Sequence, residues 1–328
     1  MKRVYFIFNL HSGKAALNNQ IPKLLDQFTA AGYEVTVHPT QRQGDGIVSA
    51  KYACEHGFDL LVCAGGDGTL NELVQGAAGS ANVAVGCVPC GSGNDYVRNF
   101  GAAGQAPFLD FAAQLQAQPC RVDLLQTSLG IGIDICAAGL DAQVAYGIPK
   151  FRRLPGCGGT AAYTLSILQA MLSRFGHKLR VAIDGKEYTG TYMMAAICNG
   201  GYYGGGYQAA PYAAMDDGLL DIVLVKPISR IQVAGILAKY KAGQHMQDAD
   251  TIVPEFRSFM TFYRARSVEM QVLDNRPIIA TIDGECAPVM ELKAEVLPSA
   301  LNVLLPRPAC GSAVIRVLHE CPMQAKAK

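Results

Sequence analysis

The chain has 328 residues, half of them hydrophobic and 17% charged, with a formal net charge of +1. That length exceeds one ordinary hydrophobic core, so two domains are expected, and the composition excludes a disordered chain. The near-neutral charge, with no basic run or aromatic-interleaved basic stripe, gives no sign of a nucleic-acid partner.

Residues 3–9 read as a first β-strand rather than a signal peptide, because the apolar stretch is short and lacks a small-residue cleavage pattern. No apolar run approaches the ~18 residues that a transmembrane segment needs, so a soluble chain is expected. Ser12 or Gly13 leads into a helix with Leu17, Ile21, Leu24, Leu25 and Phe28 at helical spacing, which Gly32 stops. A strand over Tyr33–His38, a helix over Ile47–His56 and a strand over Asp59–Ala64 follow. A glycine loop with its helix and a strand over Val83–Val88 complete the alternation. This pattern predicts a parallel sheet with helices on both faces, and such sheets bind ligands at the carboxyl ends of their strands. Asn9–Gly13, Thr40, Gly65–Asn71 and Gly91–Asp95 all follow such ends.

The pattern changes after about residue 120. β-like runs dominate: Arg121–Thr127, Ile131–Ala138, Lys178–Ile183, Glu187–Cys198, Leu220–Val225, Ser267–Leu273, Ile278–Ile282 and Glu291–Leu297. Two helical patterns interrupt them, Ala161–Phe175 and Arg230–Lys241. Asp184-Gly185 between two of the runs predicts a tight hairpin. The expected division is 1–120 as an α/β domain, 121–297 as a β-rich domain, and 298–328 as a segment packing back on the first. Eleven cysteines lie mostly inside apolar runs, which suits buried thiols in a reducing cytoplasm rather than a disulfide framework.

Candidate chemistry begins at Val62–Gly76. An apolar strand runs into Gly65, Gly66 and Gly68, and a helix with Leu70, Leu73 and Val74 on one face follows. Glycines there let the backbone approach a phosphate, and the helix start offers unpaired N–H donors and a positive dipole end. Thr69 adds a hydroxyl. Asp67 would repel a phosphate unless a cation or a hydroxyl-bearing substrate lies between them, so Mg²⁺ is expected. The competing reading is a tight turn rich in Gly and Asp. Ser12 with the Gly13 amide suits either a phosphate or an N-cap. The Asp216-Asp217-Gly218-Leu219 segment suits either a turn or a hard-cation site. Ile282-Asp283-Gly284-Glu285 has the shape of the Asp184-Gly185 hairpin, with Glu285 where that one has Lys186.

Gly65-Gly-Asp-Gly-Thr-Leu-Asn-Glu72 resembles the G-G-D-G-T-x-N-E signature of the diacylglycerol kinase and lipid kinase family, which is similar in fold to NAD kinases. Pro89-Cys-Gly-Ser-Gly-Asn-Asp-Tyr-Val-Arg98, Arg121-Val-Asp123, Asp216–Asp221 and Ile282–Glu285 resemble further motifs of that family, in order across about 220 residues. Leu10 and His11 depart from its usual Asn-Pro.

The resemblance implies an α/β nucleotide-binding domain with a parallel sheet, followed by an antiparallel β-sandwich that holds lipid. It implies an ATP site at Asn9, Ser12, Gly13, Thr40, Gly65, Gly66, Asp67, Gly68, Thr69, Asn71, Glu72, Gly91, Ser92 and Asn94. Asp123 would face the interdomain cleft and help hold catalytic Mg²⁺. A second, bracing Mg²⁺ would bind the Asp217 carboxylate with the Ala214 and Leu219 carbonyls. Glu285 would take the proton of a lipid hydroxyl as it attacks the γ-phosphoryl group, with Asp283 positioning it or binding metal. The enzyme implied is cytoplasmic, meets lipid transiently at a membrane surface, and is compatible with a homodimer. The rivals are a kinase of a soluble substrate, as in NAD kinases, and a nucleotide-binding regulator without turnover.

Overall fold

Strands alternate with helices through the first third of the chain. The elements are β1 (Lys2–Phe8), α1 (Ala16–Ala30), β2 (Tyr33–Pro39), α2 (Asp45–Glu55), β3 (Leu60–Gly65), α3 (Asp67–Ala77) and β4 (Ala84–Pro89). Three short helices follow, α4 (Asp95–Arg98), α5 (Ala106–Leu109) and α6 (Phe111–Leu115). The computed structural model describes residues 2–9, 16–101, 106–116, 119–154, 156, 159–173 and 176–306. Strand order is β2-β1-β3-β4, all parallel. β3 and β4 are buried at every position, as strands covered on both faces are. Val4, Phe6 and Phe8 of β1 pack on Leu24 and Phe28 of α1, each fully buried side chain contributing roughly 1.5–3 kcal/mol.

The rest of the chain is β-rich. Its elements are β5 (Pro119–Thr127), β6 (Gly130–Gly132), β7 (Ile135–Gly139), α7 (Leu140–Arg152), α8 (Gly159–Leu172), β8 (His177–Ile183), β9 (Lys186–Tyr192) and β10 (Met194–Cys198). They continue with β11 (Tyr202–Tyr203), β12 (Tyr207–Gln208), β13 (Leu220–Val225), α9 (Arg230–Lys241), β14 (Met260–Ala265), β15 (Ser267–Val272), β16 (Ile278–Ile282), β17 (Glu285–Val289) and β18 (Glu291–Leu304).

Two units result. One is Met1–Leu124 with Ala214–Gly218 and the chain from Leu297; the other is Leu125–Ala213 with Leu219–Val296. In the second unit an antiparallel sheet of order β14-β13-β10-β7-β16-β17 faces the strands β18-β15-β8-β9. Leu179, Val181 and Ile183, with Leu292, Ala294 and Val296, meet Ile197, Ile222 and Ala280 in the core between them. The alternating exposure of β8 and the first half of β18 follows, since only one face of each is covered. An α/β unit with a parallel sheet and an antiparallel sandwich is the expected fold class.

Several elements differ from the expectation. Ile131–Ala138 is two strands, because the chain turns at Ile133-Asp134. Glu187–Cys198 is also two: β9 pairs with β8 in one sheet while β10 lies between β13 and β7 in the other. The helix α7 went unread, since Gly147 and Pro149 weaken its helical signal. The strand from Glu291 continues to Leu304, and Asn302 and Val303 pair in parallel with Ala84 and Val85 of β4. Among the described residues no helix is long and apolar enough to cross a membrane.

Candidate active site

In the first unit, β3 and β4 run side by side and each ends in a glycine loop. The Cys90 N–H donates to the Gly65 carbonyl at 2.8 Å, which ties the two loops together. A Cβ on Gly91 would lie 2.5 Å from the Gly66 Cα, so only glycine allows this approach. Gly66 is the N-cap of α3 in extended conformation, and no side chain caps the helix. Its first amides are thus left for another acceptor. Gly68 is exposed in that first turn, while the buried Thr69 side chain folds back over Gly65. Ser92 is exposed, and Asn94 holds its loop by accepting the Gly91 N–H and donating to the Gly91 carbonyl, both at 2.9 Å.

Asp67 is half-buried, not the exposed loop carboxylate that the glycine pattern suggests. Its Oδ1 accepts the Asp95 N–H at 2.7 Å, and the Asn94 and Tyr96 amides also favour its charge. Burial outweighs them and raises its pKa. Asn9 and Thr40 lie at neighbouring strand ends: the Asn9 N–H donates to Ala64, and the Thr40 N–H to Phe8. Ser12 and Gly13 lie outside the described residues. Asn71 is buried and accepts from Gln75.

Glu72 has a structural task that the motif alone does not reveal. Its two oxygens accept the Gly44 and Gly46 N–H groups at 2.7 and 2.8 Å, so it caps the start of α2, which has no cap of its own.

Asp123 is buried on β5 in the same unit. Its oxygens accept the Gly218 and Ser299 N–H groups, each at 2.7 Å, and its own N–H donates to the Met215 carbonyl. Burial raises its pKa, the two amides lower it, and nearby Asp217 and Asp216 raise it again. The carboxylate therefore fastens the turn containing Ala214, Asp216 and Asp217. Leu219 directly follows that turn, just before β13.

In the second unit, Asp283 and Gly284 have positive φ and make a tight turn between β16 and β17. The Asp283 carboxylate accepts the N–H groups of Ile133, Asp134 and Ile135 at 2.7, 3.1 and 3.0 Å. This is why the chain bends between β6 and β7. Glu285 stands exposed at the start of β17.

Residues 3–127 match the model of the diacylglycerol kinase catalytic domain, and residues 134–305 that of the YegS C-terminal NAD kinase beta sandwich-like domain. The chain belongs to the diacylglycerol kinase and YegS-like lipid kinase family. It is 26% identical to the diacylglycerol kinase of Bacillus subtilis over 94% of this chain and 97% of that one. It is 28% identical to the protein named "Probable lipid kinase YegS-like" of Chromohalobacter salexigens, covering 93% of each. A crystal structure of a Bacillus anthracis diacylglycerol kinase superposes with a TM-score of 0.67 at 20% identity, over 94% of this chain and 98% of that one. An Archaeoglobus fulgidus NAD kinase in complex with ATP shares the fold at a TM-score of 0.51 and 13% identity, over 96% and 95%.

For a member of this kinase family, the acidic residues invite the question of metal. Among the described residues no three His, Cys, Asp or Glu side chains converge as a metal cluster. The turn at Ala214–Leu219 offers a different donor set, one carboxylate and two carbonyls, and all are hard oxygens. Asp217 and Asp216 raise the proton affinity of Asp123, a repulsion that a cation would relieve. The residues fit Mg²⁺ on that chemistry.

Sequence reasoning missed Asp141, in the first turn of α7. Its Oδ1 accepts the Ala142 N–H, while Oδ2 is buried without a hydrogen-bond partner. Burial pushes its pKa up to about 7. Burial raises the pKa of the Cys63 thiol, and that of Cys90 to about 11, so neither is a reactive thiolate.

Proposed function

We propose that this kinase transfers the γ-phosphoryl group of ATP to the hydroxyl of a lipid such as diacylglycerol. The observation that carries the reading is the uncapped start of α3 between two glycine loops whose backbones approach so closely that only glycine fits. Amides there hold the nucleotide phosphates, with Gly65–Thr69 on one side and Gly91–Asn94 on the other. Asn9 and Thr40 stand at the same strand ends, and Asn71 supports the loop from within α3. The printed activities of the relatives, and the ATP held by the NAD kinase of this fold, support nucleotide and acceptor.

Mg²⁺, when bound, neutralises charge on the transferring phosphates, and Asp67 and Asp123 supply the negative field for it. The Asp217 carboxylate with the Ala214 and Leu219 carbonyls would hold a second ion, which would brace the loop that Asp123 fastens. Glu285 takes the proton of the acceptor hydroxyl while its oxygen bonds to the γ-phosphorus and the bond to the β–γ bridging oxygen breaks, releasing ADP. Asp283 acts through position, because its carboxylate is engaged by three amides. The acceptor lies in a membrane, so the enzyme works in the cytoplasm in transient contact with a bilayer surface.

The test is a panel of lipid alcohols and NAD incubated with the purified chain, Mg²⁺ and radiolabelled ATP. Label in a lipid, lost in the Asp67→Ala variant, is expected. Label in NAD alone, or in no acceptor, overturns the reading.

A further inference from the structure

The helix pair α7–α8 in the second unit is packed inside out. On α8 the small residues Ala162, Ser166 and Ala170 are buried. The Ser166 hydroxyl donates to the Val144 carbonyl of α7, and a Cβ on Gly147 would overlap it, so the two helices meet through their smallest side chains. Two large apolar residues of α8 point the other way, while Met171 packs against the core. Leu168 is 56% and Leu172 73% exposed, on one stripe with exposed Thr164. A water-soluble helix normally buries its leucines and exposes its small and polar residues. This one carries no charged residue at all between Gly159 and Leu172.

Two neighbours extend the face. Arg230 donates to the Met171 and Ser173 carbonyls, which ties the start of α9, where Ile231 is 85% exposed, to the end of α8. At the other end of the pair, Lys150, Arg152 and Arg153 are exposed at the close of α7, next to exposed Leu154. From Ala142 to Ile183 the sequence contains no Asp or Glu.

We propose that the α7–α8 face is the membrane-docking surface, with Leu168, Leu172 and Ile231 entering the headgroup–acyl boundary of an anionic bilayer and Lys150, Arg152 and Arg153 held by its phosphates. Charge decides the occupant. Apolar residues flanked by a purely basic cluster complement an anionic lipid surface. A second copy of the chain complements it poorly, since a two-fold contact pairs this face with itself and the stretch from Ala142 to Ile183 offers no acidic residue to meet the basic cluster. The inference deepens the membrane-held acceptor proposed above, but docking itself needs neither ATP nor turnover.

The experiment sediments the full chain, without nucleotide, with vesicles of phosphatidylcholine and with vesicles enriched in phosphatidylglycerol. The wild type is expected to follow the anionic vesicles and to be released by salt. Leu168→Ser with Leu172→Ser should weaken that binding about tenfold or more, and Arg152→Gln with Arg153→Gln about tenfold. All four positions are exposed, so melting temperatures and turnover of a short-chain diacylglycerol dispersed in detergent should stay at wild-type values. Asp67→Ala should dock normally while losing turnover, which separates failure of docking from failure of the kinase reading. Wild-type protein that ignores anionic vesicles, or leucine variants that bind as well as wild type, would overturn the proposal. So would a dimer in sedimentation velocity that the leucine variants dissolve, since the face would then be a protein interface.

Discussion

Asp283 and Ile135 are bound reciprocally: the Asp283 N–H donates to the Ile135 carbonyl at 3.1 Å, and the Ile135 N–H donates to the Asp283 carboxylate at 3.0 Å. Asp184 and Ser267 repeat the arrangement. The Asp184 N–H donates to the Ser267 carbonyl, and its carboxylate accepts the Arg266 and Ser267 N–H groups and the Ser267 hydroxyl. Both Asp-Gly turns thus clamp the start of a neighbouring strand. Asp184 is more than the plain hairpin residue that its Asp-Gly dipeptide suggests.

Asp283→Asn should therefore behave chiefly as a stability variant. A carboxamide offers one acceptor oxygen where three amides converge, and its NH₂ would face a donor, so a loss of about 1–3 kcal/mol is expected. Asp184→Asn should lose a similar amount. Denaturant unfolding of both variants checks this, and a wild-type midpoint for Asp283→Asn would rule out the clamp.

Glu285→Gln should show the opposite pattern. Glu285 is exposed, so the melting temperature should not move, while phosphoryl transfer should fall by roughly 10²–10⁴-fold if the carboxylate is the proton acceptor. Full activity in this variant would remove Glu285 from the chemistry.

Gly46→Ala tests the link between the glycine loop's helix and α2. A Cβ there would lie 2.6 Å from a Glu72 oxygen and 2.8 Å from its Cβ, so Glu72 must release the α2 amides. A destabilisation of about 1–3 kcal/mol is expected, read by thermal or denaturant unfolding, with Glu72→Gln milder because one oxygen still accepts.

Asp141 should make stability depend on pH. Its folded pKa of about 7 lies above the unfolded value near 4, so folding holds a proton that the unfolded chain releases. The group costs nothing below about pH 4, and stability falls as pH rises from there to about 7. Asp141→Asn should flatten that part of the profile, as measured by melting temperature between those limits. An unchanged slope would show that Asp141 titrates normally.

The second Mg²⁺ has its own test. Asp217→Ala should lose part of the Mg²⁺-induced rise in melting temperature seen without ATP, because an ion bound only to the folded state stabilises it by mass action. Equal rises in variant and wild type would leave the Ala214–Leu219 turn without a metal.

The sequence by itself determined the two layers and the strand ends. Continuous apolar runs such as Leu60–Gly65 and Ile222–Val225 must be buried on both faces, and the glycines after β3 and β4 mark where backbone must come close. It also determined the order of motifs that identifies the kinase family. Only the tertiary structure decided what the acidic residues of those motifs hold. Asp67, Glu72, Asp123 and Asp283 are equivalent on paper, but each accepts amides from segments between 26 and 176 residues away. No local pattern encodes such partners, because a carboxylate's task depends on which backbone donors the fold brings to it. The same holds for α8, whose apolar run does not by itself show which side is buried. Whether its leucines or its alanines face inward was set by the space that Gly147 leaves on α7.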